Sequence, residues 1–239
     1  MKELEDYSWF PSLLRNFQVE YIGFVAVKLN IYELFIDHLQ TLPQPMQTMT
    51  DLCSGSGEPA ISIFRKSGCF THLTLSDKFP ISLKLNDEQI SDEIQKIDVL
   101  KMEFKHGTCY TMFNSFHHFK DAEKLKIIHK IQKSGSDAFI VEVLQPTIYC
   151  FFKIVITTTI GVLFLTPFIA PFSFKRLFFT YIIPLNILTI TFDGIVSVFK
   201  SRSVKQYQKM FANSENKQKI YKLINGRNTL IVIQIGQTK

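Results

Sequence analysis

One decapeptide restricts the fold of this 239-residue chain more than any other feature: Asp51-Leu-Cys53-Ser-Gly55-Ser-Gly57-Glu-Pro59-Ala60. It follows an apolar run, Met46 to Leu52, and precedes an amphipathic stretch, Pro59 to Ser67. A strand that turns through alternating glycines into a helix opens a crevice at the carboxyl end of a parallel sheet. The glycines permit a tight turn and close backbone approach, and the helix start offers unpaired N–H groups to a ligand. The same rhythm continues through Leu73 to Ser76, Ile81 to Glu93, Gln95 to Val99, Thr111 to Ser115, Ala122 to Lys133 and Ala138 to Leu144. Strand alternating with helix at this spacing predicts an α/β fold with a doubly wound, mostly parallel sheet.

The flanks complete four regions. Residues 1–45 read as a helical cover, because Leu13, Phe17, Tyr21, Phe24 and Phe35 recur near the helical period before a Pro43, Pro45 turn. Residues 46–147 are the α/β core. Residues 148–199 break the rhythm with ten phenylalanines and an uncharged run of 21 residues from Ile154 to Phe174, which predicts a hydrophobic helical insert. Residues 200–239 read as a basic helix (Val204 to Phe211), then two strands around the turn Asn225-Gly226-Arg227-Asn228, an antiparallel hairpin that completes the sheet.

Composition excludes other classes. At 46% hydrophobic and 20% charged residues, with few Gly and Pro, the chain is neither disordered nor fibrous. Its +6 charge is local: residues 200–239 hold nine basic residues against Glu215, while the remainder is slightly acidic, so no nucleic-acid partner is expected. Cys53, Cys69, Cys109 and Cys150 form no CxxC pair and read as reduced thiols of a cytoplasmic protein. The acidic start, with Glu3, Glu5 and Asp6, does not read as a signal peptide.

Asp77 ends the second apolar run 20 residues after Gly57, where a carboxylate accepts both hydroxyls of a ribose. The turn and Asp77 together describe a nucleoside site. Gly55, Gly57 and Ala60 also fit the dinucleotide fingerprint, so the turn by itself leaves a NAD-dependent oxidoreductase open. Asp51 favours a different ligand: a carboxylate just before the glycines repels a pyrophosphate and suits a nucleoside that carries an ammonium, such as S-adenosylmethionine (SAM).

On these residues the sequence resembles the class I SAM-dependent methyltransferases, whose first motif is an acid followed by alternating glycines; Cys53 stands where the family usually has its first glycine. The resemblance covers residues 46–145 and the terminal hairpin, and it implies SAM as cofactor, held by Asp51, Cys53, Gly55, Gly57, Asp77, Asp98 and Val99. In that scheme Asp98 accepts a hydrogen bond from the adenine amino group while an apolar neighbour packs on the ring. The resemblance also places Thr111 to Phe119 beside the methyl sulfonium, so that His117 or His118 orients a small-molecule acceptor or removes its proton, with an ordinary pKa of about 6.5 suited to the task. Packing in the core and a helix-capping role are the competing readings of the two rings.

Glu142, at the end of the next apolar run, and Asp193, in the segment Phe192-Asp193-Gly194, are assigned to the acceptor side, and Trp9, Phe10, Pro11 and Arg15 to a cover over the cofactor. Along the sequence no His/Asp/Glu set has metal-ligand spacing, and no metal is expected. The apolar insert and basic tail suggest a hydrophobic or membrane-borne acceptor. Pro167 and Pro171 interrupt the uncharged run, and a return to the same sheet requires an even number of crossings, so the insert is expected to touch a membrane surface without crossing it, with Lys175, Arg176 and the tail near anionic headgroups. A membrane-associated protein with a vestigial nucleoside site is the reading from a different class.

Overall fold

The computed structural model describes residues 2–42, 46–83, 85, 87–91, 93–212, 218–226 and 228–236; Pro43, Pro45, Glu215 and Arg227 of the expectations above lie outside the described residues. One seven-stranded sheet organises the chain. It comprises β1 (Met46–Leu52), β2 (Phe70–Asp77), β3 (Gln95–Lys96), β4 (Thr108–Phe113), β5 (Asp137–Glu142), β6 (Lys219–Asn225) and β7 (Asn228–Ile235), in the order β3-β2-β1-β4-β5-β7-β6. The first five are parallel, and β7 inserts antiparallel between β5 and β6. Strand order therefore reverses between β1 and β4, the place where open sheets of this kind bind ligands.

Both faces of the sheet are covered, which explains why its central strands read as continuous apolar runs. Alternate side chains go to opposite cores. Phe139, Val141, Leu230 and Val232 pack with α2 (Glu33–Gln40) and α3 (Ala60–Ser67), while Ala138, Ile140, Ile231 and Ile233 pack with α4 (Asp121–Ser134) and α9 (Val204–Met210). Full burial of one such Val, Leu or Ile contributes about 1.5–3 kcal/mol, and β7 contributes to both faces at once. Helix α3 stops at Gly68 (φ 64°) and α4 at Gly135 (φ 68°), the left-handed caps that glycine supplies without a Cβ clash.

Two expectations for the core are corrected. The stretch 81–93 forms no helix among its described residues. It runs along the outer edge of β2 instead, where the Leu73 N–H donates to the Gln89 carbonyl (2.8 Å) and the Ser91 N–H to the Leu73 carbonyl (2.9 Å). Ile81, Leu83, Leu85 and Ile90 enter the first core from this irregular segment. An edge strand in want of partners outweighed a weak helical period in a stretch begun by Pro80 and interrupted by Asp87. The third strand is likewise only Gln95–Lys96 rather than reaching Val99.

The N-terminal cover is two helices, α1 (Ser12–Lys28) and α2. The insert is helical apart from breaks at 169–173 and 182–184. A first rod runs from α5 (Ile148–Ile156) through a π-turn (Thr157–Gly161) and α6 (Val162–Leu165) to a 3₁₀ turn (Thr166–Phe168), followed by α7 (Phe174–Tyr181) and α8 (Leu185–Lys200). Cys150, Thr158, Val162 and Thr166 form the rod's buried stripe. On this side the Tyr21 hydroxyl of α1 donates to the Thr157 carbonyl (2.5 Å), and Val162, Ile169 and Ile190 pack with Tyr21 and Val25. The opposite stripe, with Tyr149, Phe152, Ile156, Ile160, Phe164 and Phe168, is exposed. Arg176 does not point to solvent as expected: it is buried, paired with Glu20, and donates to the carbonyls of Ile169 and Pro171.

Candidate functional site

The glycine turn and two carboxylates converge at the point where strand order reverses. Cys53, Gly55 and Gly57 all have positive φ (60°, 55° and 88°). A Cβ on Gly57 would come within 2.8 Å of Ile61 Cδ1 and 3.1 Å of Leu83 Cδ2, so both conformation and space demand glycine there. Two serines fasten the turn: the Ser54 N–H donates to the Ser76 carbonyl (2.9 Å), and the Ser54 and Ser76 hydroxyls both donate to the Asp51 carbonyl (3.0 and 2.8 Å). The Asp77 carboxylate accepts the Gly55 N–H on Oδ2 (2.9 Å) and the Phe79 N–H on Oδ1 (2.8 Å). Each oxygen keeps lone-pair capacity for a diol.

Asp51 is buried beside Thr111 of β4, whose hydroxyl donates to Asp51 Oδ1 (2.7 Å). Burial pushes its pKa up to about 7, against the lowering effect of the Thr111 and Ser54 contacts. A buried carboxylate short of a cation suits an ammonium-bearing ligand. Asp98 sits in a turn past β3; its Oδ1 accepts the Leu100 N–H (3.1 Å), and Oδ2 lies 3.4 Å from Lys78 Nζ. Val99 beside it is buried in the second core. Arg15 reaches the same rim, its guanidinium 4.1 Å from the Phe79 ring centroid, whereas Trp9 is exposed and Phe10 packs with Leu14 and Phe17.

The second half of the rim is assembled over long sequence distances. Glu142, ending β5, is buried; its Oε1 accepts the Phe116 N–H (2.8 Å) and its Oε2 lies 2.8 Å from His117 Nδ1. That pairing fixes the His117 ring and leaves Nε2 as its other nitrogen. Burial lowers the His117 pKa, partly opposed by Glu142. His118 faces the N-terminal acids: its Nδ1 lies 3.2 Å from Asp6 Oδ1 and 3.4 Å from Glu3 Oε2, and its Nε2 lies 3.6 Å from Glu5 Oε1. Burial disfavours its charge, but hydrogen bonds to Asp6 and Glu3 and the charges of Glu3 and Glu5 outweigh that and raise its pKa well above the ordinary value.

Asp193 of α8 binds the chain's own N-terminal segment. Its Oδ1 accepts the Leu4 N–H (2.6 Å), and its Oδ2 accepts the Glu5 N–H (3.2 Å) and Gln18 Nε2 (3.1 Å). Glu3 accepts from the Ser197 hydroxyl (3.0 Å) and pairs with Lys200, both also on α8, and Arg15 donates to the carbonyls of Glu5 and Tyr7 (3.0 and 2.7 Å). Residues 3–7 are thus tied down over the histidine pair. The family resemblance singled out both histidines, and a charge in an apolar run singled out Asp193, but Glu3 was missed, because it lies more than a hundred residues from its partners; the only trace was a run of acids at the chain start with Lys2 alone beside it.

No protein-family model and no curated protein sequence matches this chain. Its structure is similar to solved ones. The plantazolicin methyltransferase BpumL in complex with SAH matches at TM-score 0.53 and 10% identity, covering 95% of this chain and 96% of that one. An O-methyltransferase family 2 protein from Planctomyces limnophilus DSM 3776, complexed with apigenin, matches at TM-score 0.51 and 13% identity over 90% of this chain and 59% of that one. PigF with SAH matches at TM-score 0.50 and 17% identity over 96% and 63%. The chain spans about half the length of several other methyltransferases that it matches. Sheet order, antiparallel ending and these likenesses agree: the chain has the fold of the SAM-dependent methyltransferases.

Proposed function

We propose that this chain binds SAM and transfers its methyl group to a small, apolar acceptor drawn from a lipid surface. The observation that carries the cofactor assignment is the rim between β1 and β2, where Asp77 accepts the Gly55 N–H while a buried Asp51, short of a cation, lies at the end of β1. In this reading Asp51 meets the cofactor ammonium, the turn at Cys53, Gly55 and Gly57 lets the backbone approach, Asp77 accepts the ribose hydroxyls, Asp98 takes the adenine amino group and Val99 supports the ring. When bound, SAM would supply an activated methyl group, which would pass in line to the acceptor's nucleophilic atom as the carbon–sulfur bond breaks and its electron pair stays on sulfur. The sulfonium is already activated, so alignment and exclusion of water by residues 3–7 supply much of the rate. Glu142 sets the His117 ring, whose other nitrogen orients the acceptor or receives its proton, while His118 ties the N-terminal acids to the rim.

The lipid surface is argued from the insert. Among the described residues most exposed large hydrophobic side chains lie in 148–199, and the rod Ile148–Phe168 is long and apolar enough to cross a bilayer, with mean hydropathy 2.1. Its buried stripe on α1 and α8 favours an axis along the protein surface, with the opposite stripe in the interfacial layer. Helix α8 joins the two functions: Asp193, Ser197 and Lys200 face the N-terminal segment, whereas Leu188, Phe192 and Phe199 are exposed.

Titration with S-adenosylhomocysteine (SAH) and NAD tests the first part. SAH at about 100 times its Kd is expected to stabilise the fold by about 2.7 kcal/mol, and a thermal shift with NAD alone would overturn the reading. Membranes from expressing cells, washed in high salt and alkaline carbonate, test the second. Release is expected; retention until detergent is added means that the insert is embedded.

A further inference from the structure

We propose that Glu3, His117 and His118 hold one divalent first-row transition metal, of the zinc or cobalt class, on the acceptor side of the crevice. One ligand atom from each residue lies within 4.8 Å of those of the other two. His118 Nδ1 and Glu3 Oε2 are 3.4 Å apart. Two ligand atoms on one tetrahedral centre, each about 2.0–2.2 Å from the metal, are separated by about 3.3–3.5 Å. Asp6 Oδ1, 3.2 Å from the same His118 nitrogen, is in reach as a fourth ligand.

Two independent features point the same way. His117 carries the outer shell that ligating imidazoles have: its Nδ1 is fixed on the Glu142 carboxylate at 2.8 Å, which leaves Nε2 for a metal. Carboxylates also crowd the pair. Glu3, Glu5 and Asp6 face His118 and Glu142 faces His117, and Lys200 is the ammonium in contact with Glu3 and Asp6. Two imidazoles with carboxylate suit zinc-like ions over magnesium or calcium, which prefer all-oxygen shells. Such a metal would clamp the N-terminal segment to the rim, because Glu3 comes from one and the histidines from the other. This deepens the reading of the site only in its placement: the histidines would meet the acceptor through the cation.

The test uses the full chain after chelator treatment, titrated with Zn²⁺ by calorimetry and with Co²⁺ by visible absorption, with SAH binding measured in parallel. One equivalent is expected to bind, with a Co²⁺ spectrum free of thiolate charge-transfer bands. Glu3→Gln and His118→Gln should each weaken binding at least 100-fold, Glu142→Gln 10–100-fold through the outer shell, and Lys200→Met should tighten it severalfold by removing the competing cation. Failure of both wild type and Lys200→Met to bind either ion, while SAH still raises the melting temperature, overturns the site. Unchanged affinity in His118→Gln would put the metal elsewhere, thiolate bands would put it on cysteines, and either result overturns the site. Metal binding without SAH binding would uphold the site and sink the proposed function instead.

Discussion

The two halves of the rim are built differently. On the half proposed to hold the cofactor, Asp51, Cys53, Gly55, Gly57 and Asp77 lie within one strand–turn–helix–strand unit, and their mutual contacts are backbone to side chain across a single parallel strand pair. On the half proposed to meet the acceptor, Glu3, His118, Glu142 and Asp193 come from the N-terminal segment, the 3₁₀ turn after β4, the end of β5 and the insert, and are joined over long sequence distances by ion pairs and by backbone N–H groups that donate to the carboxylates. Local geometry sets the first half. The second exists only once the insert has folded over the N-terminus, so its chemistry depends on tertiary closure. Substitutions on one half should therefore leave the other's readout intact.

The largest effect that sharpens this contrast is on cofactor affinity. Asp77→Ala removes the charged acceptor of a ribose and also frees the Gly55 N–H, so SAH affinity should fall by about 10–100-fold or more, at about 1.5–3 kcal/mol for each charge-assisted hydrogen bond. His117→Ala and His118→Ala should leave it within about threefold, a margin under about 0.7 kcal/mol. Calorimetry on the three variants decides. Equal SAH affinity in wild type and Asp77→Ala would break the comparison, because the nucleoside would then have to lie elsewhere.

The next effect is pH-dependent. In the fold Asp51 keeps its proton to about pH 7, whereas an unfolded aspartate releases it near about 3.9. This group therefore lowers stability progressively as pH rises from about 4 to 7 and adds no further penalty above that. A ligand ammonium favours the carboxylate. SAH affinity should thus be level above pH 7 and fall by up to about tenfold per unit below it, and Asp51→Asn should flatten the profile while weakening binding at pH 8. A wild-type profile flat from pH 5 to 8 would remove Asp51 from the ammonium site.

On the acceptor half, Asp193→Ala should loosen residues 3–7 by an amount comparable to one or two charged hydrogen bonds, about 1.5–3 kcal/mol each. Hydrogen exchange at Leu4 and Glu5 should quicken at least tenfold while SAH affinity holds. Protection that persists would mean that Lys200 and Arg15 suffice to hold the segment.

Legibility in the sequence follows the same division. The glycine turn, Asp77 at the end of β2, the apolar runs of β4 and β5 and the terminal hairpin were readable because each is a local pattern imposed by strand and turn geometry. The stretch 81–93 misled because Ile81, Leu85 and Ile90 mimic a helical period, while the need of β2 for an edge partner is invisible in local spacing. Asp193 was recognisable as a charge in an apolar helix, but that its partners are the N–H groups of Leu4 and Glu5 depends on closure across 188–189 residues. Arg176 looked like a headgroup contact for the same reason: nothing near it in sequence hints at Glu20.

The smallest expected effect is at Cys53, where the glycine turn departs from the methyltransferase motif that it resembles. Cys53 holds φ at 60°, a left-handed conformation that costs a residue with a Cβ about 1–2 kcal/mol and glycine almost nothing. Replacement by glycine also lets the unfolded chain sample more conformations, which returns up to about 1 kcal/mol of that gain. The half-buried side chain makes some packing contact with the second core, which is lost as well. Cys53→Gly should therefore change stability by no more than about 1 kcal/mol, in the stabilising direction, with SAH affinity unchanged or slightly improved. Loss of more than about 2 kcal/mol on denaturant unfolding would show that the side chain, and not the backbone angle, is what this position requires.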